Sequence, residues 1–446
     1  MRQMGTLLID RLNGRENTAA ARPPSSFQAV KKEIHAEVIG RIDPVEIEQT
    51  PTKVLEQQLR ETIAEVARSR PLPLTREENG RLVDEVIHEI FGLGPLEPLL
   101  QAPDVSDILV NGPDTVFVER HGRLEQVDVR FRDEAHLRQV IDRIVSAVGR
   151  RIDESTPMVD ARLPDGSRFN AILPPLALDG PSVSIRRFGT NPIRRDDLVR
   201  LGALPEPAMK LLEGCVQAKL NVIVSGGTGS GKTTLLNVCS SFIPSGERII
   251  TIEDAAELRL QQRHVVRLET RPPNIEGLGT VTTRDLVRNA LRMRPDRIIV
   301  GEIRGDEAID MLQAMNTGHG GSLATIHANT PRHALARLEA LVSMGMSNMP
   351  APVIRDTIAG ALNLVVQVSR LQDGRRRVMS ITEVCGMESS VISTQELVRF
   401  SQTGVDAKGQ VRGFFESTGV RPMCSEKLAE KGITLPPELF ELRVEV

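Results

Sequence analysis

The run Gly226-Gly227-Thr228-Gly229-Ser230-Gly231-Lys232-Thr233 follows directly on an apolar stretch, Leu220 to Val224, that reads as a buried strand. This is the G-x-x-x-x-G-K-[ST] spacing, in which glycine-rich backbone turns successive N–H groups toward one point and lets phosphate oxygens approach closely. Lys232 is placed to reach the β- and γ-phosphates of a nucleoside triphosphate, and the Thr233 hydroxyl to meet Mg²⁺. Thr234, in the helix start that follows, completes the candidate phosphate-binding set. A glycine-rich surface loop is the alternative. The strand before and the helix after argue against it.

Moving a phosphoryl group also needs a held metal, an oriented water and positive charge at the γ-phosphate. Two apolar runs end in acids: Ile250-Thr251-Ile252-Glu253-Asp254 and Ile298-Ile299-Val300-Gly301-Glu302. Ligands of parallel sheets lie beyond the carboxyl ends of the strands, where both Glu253 and Glu302 fall. Either alone reads equally as a solvated loop acid; two at equivalent strand ends beside a phosphate loop point to catalysis. Farther on, His319 and His327 flank a short apolar strand within Thr317 to Asn329. They read as phosphate contacts, as relays of a conformational change, or as ordinary hydrogen-bonded histidines, and metal binding is disfavoured.

The elements that must hold these residues are legible in outline. From Leu198 strand and helix alternate, with candidate strands Leu220–Val224, Arg248–Ile252, Arg297–Val300 and Ser322–Ile326, giving a mainly parallel α/β sheet around the phosphate loop. Leu364–Leu371, the Asp373-Gly374 turn and Arg377–Val384 read as a β-hairpin. Upstream, strands at 107–110, 115–118 and 124–129, a helix at 134–148 and further strands between Arg162 and Ser184 make an α+β domain. Before these, apolar residues at helical spacing predict three helices. The first ends before Pro44, the second is capped by Thr50-Pro51, and the third opens on a capping box of Thr75 and Glu78. The expected organisation is a disordered segment 1–26, a helical module 27–92, an α+β domain 93–190, a linker 191–200 and a P-loop domain 201–446.

Composition sets limits. A net charge of −3 offers no whole-chain attraction for nucleic acid, and the absence of Trp and Tyr disfavours a base-stacking platform. Cys215, Cys239, Cys385 and Cys424 are far apart in sequence, which argues against a zinc site or disulfide framework, so all four read as structural. No stretch approaches the roughly 18 apolar residues of a membrane span, and a cytosolic location is expected. The cluster Arg288, Arg292, Arg294 and Arg297 reads as solvated or subunit-contacting charge.

Taken in order, the Gly226–Thr233 loop, Thr251–Asp254, Val300–Arg304 and Thr317–Asn329 resemble the Walker A, Asp, Walker B and His boxes of the ATPases of type II and type IV secretion and pilus assembly. Arg267–Gly277, with Arg162, Asp165–Arg168 and Ser184–Phe188, resembles the CpaF/TadA branch that powers tight-adherence (Flp) pili. The resemblance covers Leu74 to the C-terminus. It implies a RecA-like P-loop ATPase domain preceded by a PAS-like α+β domain, a homo-hexameric ring, and ATP and Mg²⁺ held between two lobes. It further implies that Glu302 activates water, that Glu253 holds Mg²⁺ partly through water, and that His327 senses the γ-phosphate. Arg162, Arg168 and Arg186 would cross the cleft as arginine fingers. Partners would be inner-membrane platform proteins, with the ATPase peripherally attached through them and no direct span. A VirB11-like secretion channel motor and a RecA-like nucleic-acid translocase are the competing functions.

Overall fold

A computed structural model describes residues 26–41, 52–69, 74–120, 122–187, 193–271, 273, 278–346 and 348–446. The expected disordered segment up to residue 25, the Thr50-Pro51 cap and the Asn191-Pro192 start of the linker lie outside the described residues, as does part of Arg267–Gly277. Residues 195–200 of the expected linker form a short helix.

The first described elements are three helices, α1 (Ser26–Arg41), α2 (Thr52–Ser69) and α3 (Arg76–Phe91), which pack through Ile34, Val38, Leu59, Ile63, Leu82 and Val86. The capping box forms as expected: Thr75 Oγ1 accepts the Glu78 N–H at 3.2 Å, and the Glu78 carboxylate accepts the Thr75 N–H at 2.7 Å. Next comes an antiparallel sheet of β1 (Val105–Asn111), β2 (Thr115–Arg120), β3 (Arg123–Val127), β4 (Met158–Arg162), β5 (Arg168–Ile172) and β6 (Ser182–Arg186), in the order β3-β2-β1-β6-β5-β4. The apolar face of helix α4 (Glu134–Ala147) covers it with Leu137, Ile141 and Val145. The helical module is tied to this domain through Glu89, whose carboxylate meets Lys31 at 3.1 Å and His136 at 2.6 Å. Burial works to raise the Glu89 carboxyl, but the His136 hydrogen bond and the Lys31 charge pull it down to about 2.

The remainder is built on one ten-stranded sheet. Its strands are β7 (Val222–Gly226), β8 (Ile249–Glu253), β9 (Val265–Glu269), β10 (Arg297–Ile303), β11 (Leu323–Ile326), β12 (Leu364–Arg370), β13 (Arg376–Glu388), β14 (Val391–Val405), β15 (Val411–Ser417) and β16 (Arg443–Glu445). The order is β16-β15-β14-β13-β12-β7-β11-β10-β8-β9. From β12 to β9 neighbouring strands are parallel, and from β12 outward to β16 they are antiparallel. The inner parallel strands read as nearly continuous apolar runs because helices cover both faces. On one face α5 (Glu206–Gln217) and α6 (Lys232–Ser241) bury Leu211, Leu212 and Leu236; on the other α7 (Glu307–Asn316), α8 (Pro331–Gly345) and α9 (Ala351–Ala361) bury Leu312, Leu338 and Ile358.

At the amino-terminal edge of this sheet two buried polar residues replace solvent. Asn221 donates through Nδ2 to the carbonyls of Met315 and Ala361, at 3.3 and 2.6 Å, and accepts through Oδ1 from the N–H groups of Gly321 and Ser322, at 2.8 and 3.1 Å. Arg297 corrects the expectation of solvated charge. It is fully buried and forks onto Glu247 at 2.7 and 3.0 Å while donating to the carbonyls of Val216 and Gly321. A cation so enclosed is tolerable only with each nitrogen engaged in this way. Arg288, from the same cluster, pairs with Asp310 at 2.8 Å.

Candidate functional site

The phosphate loop leaves the carboxyl end of β7, in the middle of the sheet. Gly226 is required by packing, since a Cβ there would stand 2.5 Å from both Ser230 Oγ and the Val368 carbonyl. Gly231 takes φ 96° immediately before α6, a conformation that glycine adopts without penalty. Ser230 closes the loop on itself by donating to the Gly227 carbonyl at 2.8 Å. Lys232 Nζ donates to the carbonyls of Gly226 and Gly227, at 3.0 and 2.9 Å. Burial lowers its ammonium pKa, against the opposing pull of Glu302. Gly227, Thr228 and Gly229 form the loop, with Thr228 exposed, while Thr233 and Thr234 begin the helix.

Parallel pairing of β8 with β10, Ile252 opposite Val300, brings the two acids to one edge. Glu253 is 4% exposed. Its Oε2 accepts from the N–H groups of Glu257 and Leu258, at 2.8 and 2.9 Å, whereas Oε1 is buried without a partner. Burial pushes its carboxyl up to about 7 despite those bonds. At Gly301 a Cβ would stand 2.9 Å from Glu253 Cγ, so the carboxylate supplied by β8 fills the place an acid on β10 would need. An all-oxygen donor set with one orphaned, buried carboxylate oxygen fits a hard cation such as Mg²⁺. Glu302 pairs with Arg304 at 2.6 Å, and Arg304 also reaches Asp254 at 3.2 Å. Burial works to raise the Glu302 carboxyl, but the Arg304 hydrogen bond, with the charges of Lys232 and His327, holds it below the ordinary carboxylate value. His327 follows β11 and lines a cleft of about 260 Å³ with Ala328, Asn329, His333 and Arg337. His319 precedes β11 and is therefore at the opposite end of the strand, where its Nδ1 is buried and unpartnered. The two histidines do not converge.

Sheet register explains the three arginines of the α+β domain. Arg162 is opposite Arg168, and Arg168 opposite Arg186, so the three stand in one row across β4, β5 and β6. Directly opposed like charges destabilise a sheet, so the row needs anions. Arg162 donates to Glu269 at 2.9 Å and to the Ala256 carbonyl at 3.1 Å. Arg168 pairs with Glu257 at 3.1 Å. Both partners belong to the segment around β8 and β9 that carries Glu253. Arg186 has no ion pair among the described residues, although it faces Asp107 in register and its charge acts on Lys232.

Two residues that the sequence reading did not single out also reach the loop. Arg376 Nε donates to the Gly229 carbonyl at 2.9 Å, and Arg370 donates to the Gly122 carbonyl of the α+β domain. The only local signal was the basic run Arg375-Arg376-Arg377 after a turn, and nothing in it indicates a neighbour 147 positions away.

A phosphate loop springing from the central strand of a helix-covered parallel sheet, with acids at neighbouring strand ends, defines a RecA-like α/β P-loop protein. Residues 89–412 match the family described as Type II/IV secretion system protein, and the chain belongs to that family. A protein of Mycobacterium tuberculosis named for conjugal transfer is 42% identical over 311 residues, spanning 68% of this chain and 87% of that protein. The type IV secretion system protein PtlH of Bordetella pertussis is 35% identical over 320 residues, spanning 65% of this chain and 94% of its own. Among solved structures, the VirB11 ATPase of Brucella suis in complex with sulphate is 30% identical, covers 67% of this chain and 95% of its own, and has a TM-score of 0.36.

Proposed function

We propose that the protein is a Mg²⁺-dependent ATP hydrolase, acting as a homo-hexameric ring that drives assembly of a tight-adherence pilus through inner-membrane platform proteins. The observation that carries the hydrolytic reading is Lys232 folded onto its own glycine-rich loop, with Glu253 and Glu302 at the ends of the paired strands β8 and β10 and with the charges of Glu302 and Arg186 acting on its ammonium.

Lys232 would exchange the Gly226 and Gly227 carbonyls for the β- and γ-phosphates of ATP. Glu302 would part from Arg304, orient a water and take its proton as the water oxygen attacks the γ-phosphorus; the bond to the β-γ bridging oxygen breaks, giving ADP and inorganic phosphate. Thr233 and Glu253 would hold Mg²⁺, directly or through water, and the ion would supply positive charge that offsets the charge developing on the phosphate oxygens. His327 would report the presence of the γ-phosphate. Arg162, Arg168 and Arg186 would close over it, their planar forks suiting phosphate oxygens. Closing and reopening of the two domains would be the mechanical stroke. Attachment to a membrane would run through partners, since among the described residues no helix is long and apolar enough to cross one.

The names of the relatives, conjugal transfer and type IV secretion, favour a second reading, in which the same motor serves an export channel. The test is Mg²⁺-dependent ATP turnover by the purified protein and its Lys232→Ala variant, joined to a deletion strain scored for surface pili and for secreted protein or DNA transfer. Loss of pili alone supports the first reading, and loss of export with pili intact supports the second. ATP turnover that Lys232→Ala leaves unchanged would refute both. Stimulation by DNA or RNA at physiological salt would point instead to a translocase.

A further inference from the structure

The phosphate loop is bordered by more positive charge than its own carboxylates neutralise. Arg376, the first residue of β13, lies along the loop: its Nε is bonded to the Gly229 carbonyl, and a Cβ on Gly231 would stand 3.2 Å from Arg376 Cδ. Its two terminal nitrogens have no partner among the described residues. Arg370, at the end of β12, would stand 3.7 Å from a Cβ on Gly229, and its nearest carboxylate, Glu119, is 3.9 Å away. Burial and the repulsion of Arg370 hold the Arg376 guanidinium below its usual pKa; Glu119 and Asp107 oppose this, and Arg186 adds to it. With Lys232, four cationic side chains thus gather around one loop, and neither Arg186 nor the tip of Arg376 makes an ion pair among the described residues. Such an arrangement is unfavourable unless a polyanion neutralises it.

Resting on the nucleotide reading above, we infer that Arg376 is a phosphate-binding residue of the site, supplied by the β12–β13 hairpin and directed to the diphosphate rather than to the γ-phosphate. The Gly229–Gly231 backbone it lies along belongs to the part of such a loop that cradles the α- and β-phosphates. With Nε anchored on the Gly229 carbonyl, the two free Nη groups present a planar fork over that cradle. Arg370 positions the hairpin by holding the Gly122 carbonyl.

The test uses the full-length protein and the fluorescent probe N-methylanthraniloyl-ADP, with unlabelled ADP and AMP as competitors. Arg376→Ala should weaken ADP binding by about tenfold or more while changing AMP binding by less than about threefold, because AMP lacks the β-phosphate. Arg376→Lys should recover part of the loss, since it restores charge without the fork. Tm without nucleotide should stay within about 2 °C of the parent, because the Arg376 side chain makes one bond to the loop. ADP binding by Arg376→Ala that is equal to or tighter than the parent, while Lys232→Ala loses it, would overturn the assignment and mark Arg376 as a clamp on the empty loop. If Lys232→Ala also binds ADP normally, the nucleotide reading itself fails.

Discussion

The Glu253 side chain fills the space that any side chain at position 301 would need: a Cβ on Gly301 would stand 2.9 Å from Glu253 Cγ and 3.5 Å from its Cβ. A side chain at position 301 would therefore meet the carboxylate arm of the neighbouring strand. Glu253 and Gly301 work as a pair, and a change to one is felt at the other.

Gly301→Ala tests that pairing. The added methyl must push the Glu253 side chain aside, which strains its bonds to the Glu257 and Leu258 N–H groups. Overpacking of this kind costs roughly 1–3 kcal/mol, and the displaced carboxylate should lower ATP turnover as well. Differential scanning calorimetry and a steady-state assay read the two effects. An unchanged Tm with full activity would show that the site relaxes freely.

Protonation of Glu253 gives a stability signature. Its carboxyl is raised to about 7 in the folded chain against 4.5 as reference, so between those values the folded state holds a proton that the unfolded state has lost. Stability should then fall as pH rises from about 4.5 to about 7 and level off above. Glu253→Gln cannot ionise and should lack this decline. Without divalent ions it should exceed the parent at pH 8 by at most on the order of 3 kcal/mol, and match it near pH 4. Urea unfolding at the two pH values measures the difference, and parallel pH dependence in both proteins would contradict the assignment.

Glu302→Gln should bind ATP and fail to hydrolyse it, because the amide keeps the shape and loses the base. Turnover should drop by about 10² or more, with labelled-nucleotide affinity within about threefold. If Glu253→Gln is inactive and Glu302→Gln active, the roles of the two acids are reversed.

Each of Arg162, Arg168 and Arg186 changed to Ala should lower kcat more than it lowers nucleotide affinity. Fingers of this type contribute on the order of 10³–10⁵ in other phosphoryl-transfer proteins, so even a partial role is measurable. Small-angle scattering should also show the parent compacting with a non-hydrolysable ATP analogue. Normal kcat together with normal compaction in all three variants would remove the cross-domain mechanism.

What the sequence made legible was whatever rests on local pattern. The phosphate loop, the strand-end acids and the Thr75–Glu78 box are contiguous, and their geometry follows from spacing. The Leu364–Leu371 hairpin arm and its partner were also readable, with a turn at Asp373-Gly374. Strand β14 was missed because only Leu397, Val398 and Phe400 among its residues are buried, leaving no sustained alternation. Edge strand β9 is five residues long with no fully buried position. Arg297 looked like one of four surface arginines; its burial depends on Glu247, 50 positions away. The contacts of Arg376 with the loop and of Arg370 with Gly122 are long-range products of sheet order, beyond any window of sequence.

The bonds of Asn221 have a mechanical meaning. Its side chain joins the ends of α7 and α9 to the entry of β11, and its backbone carbonyl accepts from Asn363 and Leu364 at the entry of β12. With Arg297 gripping the same edge, the sheet is clamped at its amino-terminal side, as a cantilever is at its wall. Lys232, Glu253, Glu302 and His327 all stand at the other side, the free end. A small tilt at the clamped edge becomes the largest displacement where the phosphates would lie, so substitutions at Asn221 should alter compliance at the loop without touching a single group proposed to meet nucleotide.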